Sequence, residues 1–170
     1  MKRMSFLFFI LLGVVIAPLS SAFANESKEE VTVDIVPINE LKASGEITAM
    51  AGNGGWDDVG YSAILQYSSN TGFDNITDYK YSTGGDFMFC INNSAWDKNQ
   101  RIGYQLFEYD PNSLTSVGGV IDVKEGYCAI YRDINSRVDG SNKKAEFAVG
   151  RENRKSENYN HVYVNIDFYD

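Results

Sequence analysis

The stretch Asp86-Phe-Met-Phe-Cys-Ile91 decides the fold, because its alternating aromatic and apolar residues fit a pleated, half-buried strand. The chain has two cysteines, and the second, Cys128, lies in the similar run Gly126-Tyr-Cys-Ala-Ile-Tyr131. We therefore predict two strands joined by a Cys90–Cys128 disulfide. Closing a loop of about 38 residues stabilises a fold by roughly 4 kcal/mol on the chain-entropy account of disulfides.

The pleat of the first strand also predicts which way the disulfide faces. Phe87, Phe89 and Ile91 form the more apolar face, so Cys90 points to the opposite side. If the phenylalanines face the core, the bond lies on the outer face of its sheet or beneath a loop. Immunoglobulin domains instead carry a disulfide that bridges two sheets, so we predict no membership of that family.

The N-terminal residues predict export. The basic start Met1-Lys2-Arg3 precedes an apolar run from Phe6 to Ala17 and the cleavage signal Ala22-Phe23-Ala24, so residues 1–24 read as a removable signal peptide. The apolar run is shorter than the ~20 residues that a bilayer span needs, so we expect no membrane insertion. We expect a secreted, extracellular protein, or a periplasmic one if the host is Gram-negative. It should not be a lipoprotein, since no cysteine lies near the cleavage site.

Export supports the disulfide as well, because an even cysteine count in an oxidising compartment usually means disulfide pairing. After cleavage, residues 25–30 should form a flexible, charged N-terminus and residues 31–170 a single all-β domain. Losing Lys2 and Arg3, the two charges of the signal, changes the formal net charge from −8 to −10. An acidic surface repels phosphate backbones, so we expect no nucleic-acid ligand.

The mature sequence predicts an antiparallel β-sandwich or barrel of about eight to nine short strands. Turn signals recur about every ten residues, and the full chain, signal peptide included, has eleven tyrosines and ten phenylalanines with only three prolines. Helical signals are scarce, and residues 44–51 are interpreted as a weak strand. The segment 117–123 contains Gly118-Gly119 and predicts a bulged strand. The run Asp139-Gly140-Ser-Asn142 predicts a hairpin between the Cys128 strand and residues 145–149.

Two similar passages provide the candidate binding site. In each, a Trp-Asp pair on a polar loop precedes a strand that begins Gly-Tyr. The tryptophans could stack on sugar rings while neighbouring polar side chains bond to hydroxyls. Alternatively, each tryptophan caps an open end of the sandwich, with its indole N–H satisfied by a loop carbonyl. The candidate ligand-binding residues are Asn53, Trp56, Asp57, Asn93, Trp96 and Asp97.

Metal and catalytic chemistry find little support in the sequence. The adjacent Asp57 and Asp58 leave a weak case for Ca²⁺, and otherwise we expect no metal and no cofactor. His161 is the single histidine, which leaves zinc without a ligand set and a catalytic triad without an evident nucleophile. We therefore expect no enzyme, and we assign no catalytic residue.

These observations favour a secreted, non-catalytic binding module that recognises glycan or cell-envelope polymer. The alternative is a module that binds a secreted protein through a sheet edge or an aromatic face, as an enzyme inhibitor, toxin component or matrix subunit does. A third alternative is an exported hydrolase that uses a pair of carboxylates, although nothing singles out two of the 23 acidic residues.

Overall fold

The computed structural model describes residues 31–47, 55–65, 73–94, 101–110, 113–152 and 163–170. These residues form ten strands, one α-helix and one short 3-10 helix. The strands are β1 (Val33–Pro37), β2 (Asp58–Leu65), β3 (Phe73–Ile76), β4 (Lys80–Ser82), β5 (Phe87–Ser94), β6 (Ile102–Asp110), β7 (Ser113–Val123), β8 (Tyr127–Tyr131), β9 (Ala145–Glu152) and β10 (Tyr163–Tyr169). The helices are α1 (Ile38–Ser44) and the 3-10 helix Ile134–Arg137.

The strands form two antiparallel sheets. The first sheet has the order β1-β8-β5-β10-β2, and the second has the order β3-β9-β6-β7, with β4 also paired to β9. This arrangement confirms the predicted all-β class and identifies its architecture as a sandwich. Within the described ranges, no helix has the length and apolar character that a membrane span requires.

The main core lies between the two sheets. Phe87 and Phe89 enter it from β5, while Tyr104, Leu106 and Phe147 enter it from the second sheet, and all five side chains are fully buried. Phe87 and Phe147 are in contact, with ring centroids 4.7 Å apart. Burying a phenylalanine or leucine side chain contributes about 1.5–3 kcal/mol, so this layer accounts for much of the stability of the fold.

The disulfide lies on the opposite face of the first sheet. Cys90 and Cys128 are bonded and stand directly opposite one another in the β5–β8 register. Both are buried in a smaller core, which also contains Ile38 and Leu41 of α1 and the ring of Trp56. The bond and its outward direction are therefore confirmed, and α1 provides much of its cover.

The helix α1 was not predicted. Its two buried residues, Ile38 and Leu41, are three positions apart and so lie on one helical face. Pro37 precedes the helix in an extended conformation, and Gly45 ends it with a φ of 77°. The weak strand expected at residues 44–51 is wrong at its start, since Ser44 is helical; residues 48–51 lie outside the described residues.

The predicted bulge in β7 is confirmed. The β6–β7 register shifts between Tyr104 and Leu106, which pair with Ile121 and Val117. Gln105 is buried at this shift, and its amide donates to the carbonyl oxygen atoms of Leu106 at 3.0 Å and Val117 at 3.1 Å. A weaker contact reaches Gly118 at 3.4 Å. The side chain thus satisfies a β7 carbonyl where the ladder is interrupted.

The predicted hairpin is wrong in its pairing. A local turn does form, because Asp139 and Lys144 make an isolated antiparallel bridge. However, β8 pairs with β1 and β5 in the first sheet, whereas β9 pairs with β3, β4 and β6 in the second. The chain therefore crosses from one sheet to the other between these strands. A turn signal fixes only the local bend, and the sheet in which each strand pairs depends on distant residues.

Candidate functional site

The ring of Trp56 is part of the smaller core. The residue is 9% exposed and packs with α1 and the disulfide. The main-chain N–H of Trp56 donates to the carbonyl of Glu46 at 2.8 Å. Sugar stacking needs an exposed ring face, so this burial disfavours Trp56 as a ligand-binding residue. It agrees instead with the alternative of a tryptophan that covers the sandwich.

The rest of the predicted tryptophan site is not brought together by the described residues. Asn53, Trp96 and Asp97 lie outside these residues, and the backbone of Asn93 belongs to β5, opposite Asn165. The two similar passages also lead to different environments. Tyr61 is 71% exposed in the first sheet, whereas Tyr104 is fully buried in the second. Their resemblance in sequence does not correspond to two equivalent structural units.

Asp57 and Asp58 have structural partners. Asp57 exchanges two main-chain hydrogen bonds with Asp170, of 2.9 and 3.0 Å, and a carboxylate oxygen of Asp58 accepts from the Gly60 N–H at 2.7 Å. Neither residue belongs to a group of three metal-ligating side chains within the described part of the chain. The weak calcium hypothesis at this position therefore gains no support from the geometry.

A different surface has the character of a binding site. A groove of about 610 Å³ opens on the outer face of the second sheet, within the size range of small-ligand sites. Two exposed tyrosines, an exposed leucine and two aspartates are among its lining residues. We call this surface the tyrosine groove; its lining residues are Ile76, Thr77, Asp78, Tyr79, Tyr109, Asp110, Ser113, Leu114 and Ala148.

Strand alternation places Tyr109 and Leu114 on the outer face of the second sheet. Tyr109 of β6 stands opposite Leu114 of β7, so both point outward, away from the main core. Leu106 of the same strand points the other way, since it is in the main core whereas Tyr109 is 43% exposed. Ala148 of β9 is buried, and its small side chain leaves the groove its depth.

Three tyrosine rings pack on one another beside the groove. Tyr79 stacks on Tyr109, with centroids 5.3 Å apart and planes at 6°, and meets Tyr81 edge to face at 5.6 Å. Each ring remains more than two-fifths exposed. Aromatic pairs in these geometries contribute about 0.5–1.5 kcal/mol beyond burial, so the rings are held in place before any ligand arrives.

Several of the polar side chains around the groove are carboxylates. Asp78 and Asp110 line it, and Ser113 donates to the Asp110 carboxylate at 3.3 Å. The hydrogen bond with Tyr81 raises the pKa of the Tyr79 hydroxyl, and the nearby carboxylate of Glu146 adds to the shift. The groove therefore offers ring faces, hydroxyl groups and carboxylate acceptors together.

Asp110 also belongs to a group of three carboxylates. Its oxygen lies within 4.8 Å of those of Glu108 and Asp139. Burial raises the pKa of Glu108, and the Arg137 guanidinium, bonded to its carboxylate at 3.0 Å, opposes that shift. Arg137 thus compensates part of the negative charge, and the group is explained as an ion-pair cluster at the end of β6.

The groove was missed from the sequence because its residues are far apart along the chain. They come from the end of β3 and the connection that follows it, the end of β6, the start of β7, and β9. The local signal that could have found them is the pattern Tyr79-Lys-Tyr81, which puts two aromatic rings on one face of a short strand with a charged residue between them. The pattern alone does not tell which face of the strand points outward, because that depends on which face packs in the core.

Comparison with known proteins identifies relatives of the chain. Residues 58–166 match the family described as the YndA coiled coil domain. A Bacillus subtilis (strain 168) protein named "Uncharacterized protein YndA" is 34% identical over 131 residues, which cover 76% of this chain and 85% of the relative. No solved structure matches the chain significantly.

The matched range is made of strands in this protein. The described residues between 58 and 166 form β2 to β9 and the start of β10, together with the 3-10 helix, and contain no α-helix. A coiled coil needs long helices with apolar residues in a heptad repeat, which these residues do not provide. The family description therefore does not carry over to the fold seen here. By its matched range and by its identity to the Bacillus relative, the chain belongs to the YndA family.

Proposed function

We propose that the protein is a secreted, non-catalytic binding module that holds its ligand in the tyrosine groove. The main support is one observation: three packed tyrosines stay exposed beside a groove of ligand size. Large aromatic side chains are usually buried on folding because they remove much apolar surface from water. Rings that are left exposed around a concavity are typical of recognition surfaces.

The ligand class that suits this surface is a glycan or cell-envelope polymer. The exposed parts of the Tyr79 and Tyr109 rings offer apolar surface for the C–H faces of sugars. Asp78, Asp110 and Ser113 offer acceptors and a hydroxyl for sugar OH groups. A few placed polar groups beside an apolar wall provide orientation and specificity.

The proposal keeps the class of function expected from the sequence and moves it to another surface. Trp56 is buried, so its side chain is assigned to the smaller core. Export rests on the predicted signal peptide at residues 1–24, and the Cys90–Cys128 bond suits an oxidising compartment.

The non-catalytic part of the proposal rests on the types of residue in the groove. Its described lining holds tyrosine, aspartate, serine and threonine side chains, with no histidine or cysteine among them. The hydroxyl of Thr77 already accepts from the Val149 N–H at 2.9 Å, so it supports the backbone. A nucleophile with an adjacent base is what acyl-transfer chemistry would require here.

A secreted protein is the second candidate ligand. Ile76 and Leu114 add exposed apolar surface to the groove, and tyrosine is enriched at protein interfaces. Leu114 lies in β7, which pairs with β6 on one side and is the last strand of its sheet among the described residues. An edge strand beside an aromatic groove is a surface to which an extended peptide can add.

Groove substitutions test the proposal directly. Tyr79→Ala and Tyr109→Ala should each weaken retention of the mature protein on insoluble cell-wall polysaccharide by roughly tenfold, the effect of a well-placed aromatic contact. Tyr61→Ala is the matched control, because Tyr61 is 71% exposed on the other sheet. It should leave retention unchanged. All three variants should melt within a few degrees of the wild type, because the substituted side chains lie on the surface.

The possible results separate the candidates. Full retention of both groove variants would show that the groove is not the glycan site. The ligand would be a protein if the wild type did not bind polysaccharide but captured one protein from culture supernatant, and if the groove variants failed to capture that protein. Equal loss in Tyr61→Ala would indicate non-specific adsorption.

A further inference from the structure

We propose that the ligand of the tyrosine groove is a cationic glycan, made of amino sugars that carry free primary amines. This inference rests on the proposed binding function of the groove and adds the charge of its ligand. Two features support it: the charges around the rings, and one contact between a tyrosine ring and the protein's own Lys144.

The fixed charges beside the groove are mainly negative. Asp78 and Asp110 line it, and Glu146 stands opposite Tyr81 in the β4–β9 register. Among the nearby cations, Arg137 is bonded to the buried Glu108. These carboxylates and a formal net charge of −8 for the whole chain favour a positively charged ligand.

Lys80 does not alter this balance, because it lies on the other side of its strand. Its neighbours Tyr79 and Tyr81 are on the groove side, and alternation turns Lys80 away from them. The lysine side chain lies next to Gly60 of β2, where a Cβ atom added to the glycine would come within 3.7 Å of the lysine Nζ. Its ammonium therefore lies beside the first sheet and away from the groove.

The protein already places one ammonium on this row of rings. The Nζ atom of Lys144 lies 5.1 Å from the centroid of the Tyr81 ring, within the range of a cation–π contact. Tyr109 and Tyr79, farther along the row, line the groove together with Asp110 and Asp78. A groove that combines exposed rings and aspartates is suited to a second ammonium, supplied by the ligand.

An amino sugar meets both requirements with one group. The C–H face of its ring can stack on a tyrosine, and its ammonium is attached to that same ring, close to the carboxylates. Adding an acetyl group to the nitrogen removes the charge and leaves the stacking face. The inference therefore predicts discrimination between two glycans that differ only in N-acetylation.

The experiment is an equilibrium titration of the mature protein with β-1,4-linked oligomers of glucosamine and of N-acetylglucosamine, equal in length. The free-amine oligomer should bind at least about tenfold more tightly, and its affinity should fall with added salt. Asp78→Asn and Asp110→Asn should each weaken it roughly two- to fivefold, as expected for exposed charge pairs. Glu40→Gln, an exposed carboxylate on α1, is the control and should have no effect.

Lys144→Gln provides a test of opposite sign. Removing the lysine takes a competing positive charge off Tyr81, so the free-amine oligomer should bind more tightly. The affinity of the acetylated oligomer should stay the same. A loss of free-amine binding in this variant would overturn the inference.

The other outcomes distinguish this inference from the function on which it rests. If both oligomers bound equally and both were lost in Tyr109→Ala, the groove would be a glycan site without charge preference, and the inference would be overturned. If neither oligomer bound, the inference would be overturned independently of retention on cell-wall polysaccharide. Binding of oligolysine in place of both sugars would assign the groove to a basic peptide instead.

Discussion

Trp56 lies between α1 and the disulfide, and its neighbours there determine its role. Ile38, Leu41, Cys90 and Cys128 are buried in the same cluster. In the sequence, Trp56 lies on a polar loop before a strand. It could therefore either stack on a sugar or cap the sandwich. Burial against a helix that the sequence did not predict decides between them, because the ring has no free face for a ligand.

Trp56→Ala should therefore destabilise the protein. Truncating a buried aromatic ring costs about 3–5 kcal/mol, through lost apolar contact and the cavity left behind. Trp56→Phe should lose less stability, because the phenylalanine ring fills part of the cavity. Urea denaturation of the oxidised protein measures both, with Tyr61→Ala expected within about 0.5 kcal/mol of wild type as the surface control. A Trp56→Ala midpoint equal to that of the wild type would show that the ring is not packed as described.

Buried tyrosines predict a loss of stability at alkaline pH. Burial raises the pKa of Tyr169 to about 12, and it raises the pKa values of Tyr104 and Tyr131 as well. In the unfolded chain these hydroxyls titrate near pH ~10, so above that pH the native state binds more protons than the unfolded state. The contribution of these tyrosines to the free energy of unfolding should thus be constant below about pH 10 and decrease as the pH rises further.

Urea midpoints measured at increasing pH test this prediction. Tyr169→Phe removes one of the three groups, so its stability should decline less steeply above pH ~10 than that of the wild type. An absorbance titration of tyrosinate should show a group of tyrosines that ionise only when the protein unfolds. Wild-type stability that rises with pH in this range would contradict the burial of these rings.

The β6–β7 pair shows how one side chain supports an irregular element. Gly118, with a φ of 67°, and its neighbours bulge out of the ladder, while Gln105 bonds to the carbonyl of Val117. Gln105→Leu would keep the approximate volume of the side chain and remove both amide donors. A buried carbonyl left without its partner costs about 1–3 kcal/mol, so we expect a loss of that size in urea denaturation.

Hydrogen exchange locates this effect. In Gln105→Leu, amides at and beside the bulge between Val117 and Ile121 should exchange faster. The β5–β8 pair should keep its protection apart from the change in global stability. Ser116→Ala, an exposed change in the same strand, should leave both regions as they are. Uniform loss of protection across both sheets would show that the amide has no local role.

Elements with a long alternating pattern were predictable, and short or distant ones were not. The faces of β5 and the direction of the disulfide followed from the order of Phe87, Phe89 and Cys90. By contrast, α1 is seven residues long and too short to show a helical period. The four residues of β3 lie in a turn-rich segment and owe their strand to pairing with β9. The groove draws on four strands and the connection between β3 and β4, so no single stretch could reveal it.

At the scale of the whole molecule, the two outer faces of the sandwich differ. The first sheet is covered in part by α1 and Trp56 over the disulfide, whereas the second sheet presents the exposed tyrosines. One outer face thus contributes to stability and the other is open to a ligand. This separation explains why groove substitutions should change binding while leaving the melting temperature nearly unaltered.

The central claim is that this member of a family described by its coiled coil is a disulfide-bonded antiparallel sandwich. Far-ultraviolet circular dichroism of the mature, oxidised protein tests the claim most directly. We predict a spectrum with the single minimum of β-sheet and only a small helical contribution, as expected from one helix of seven residues in the described chain. The double minimum of a largely helical protein would contradict the fold, and with it the tyrosine groove and the ligand proposed for it.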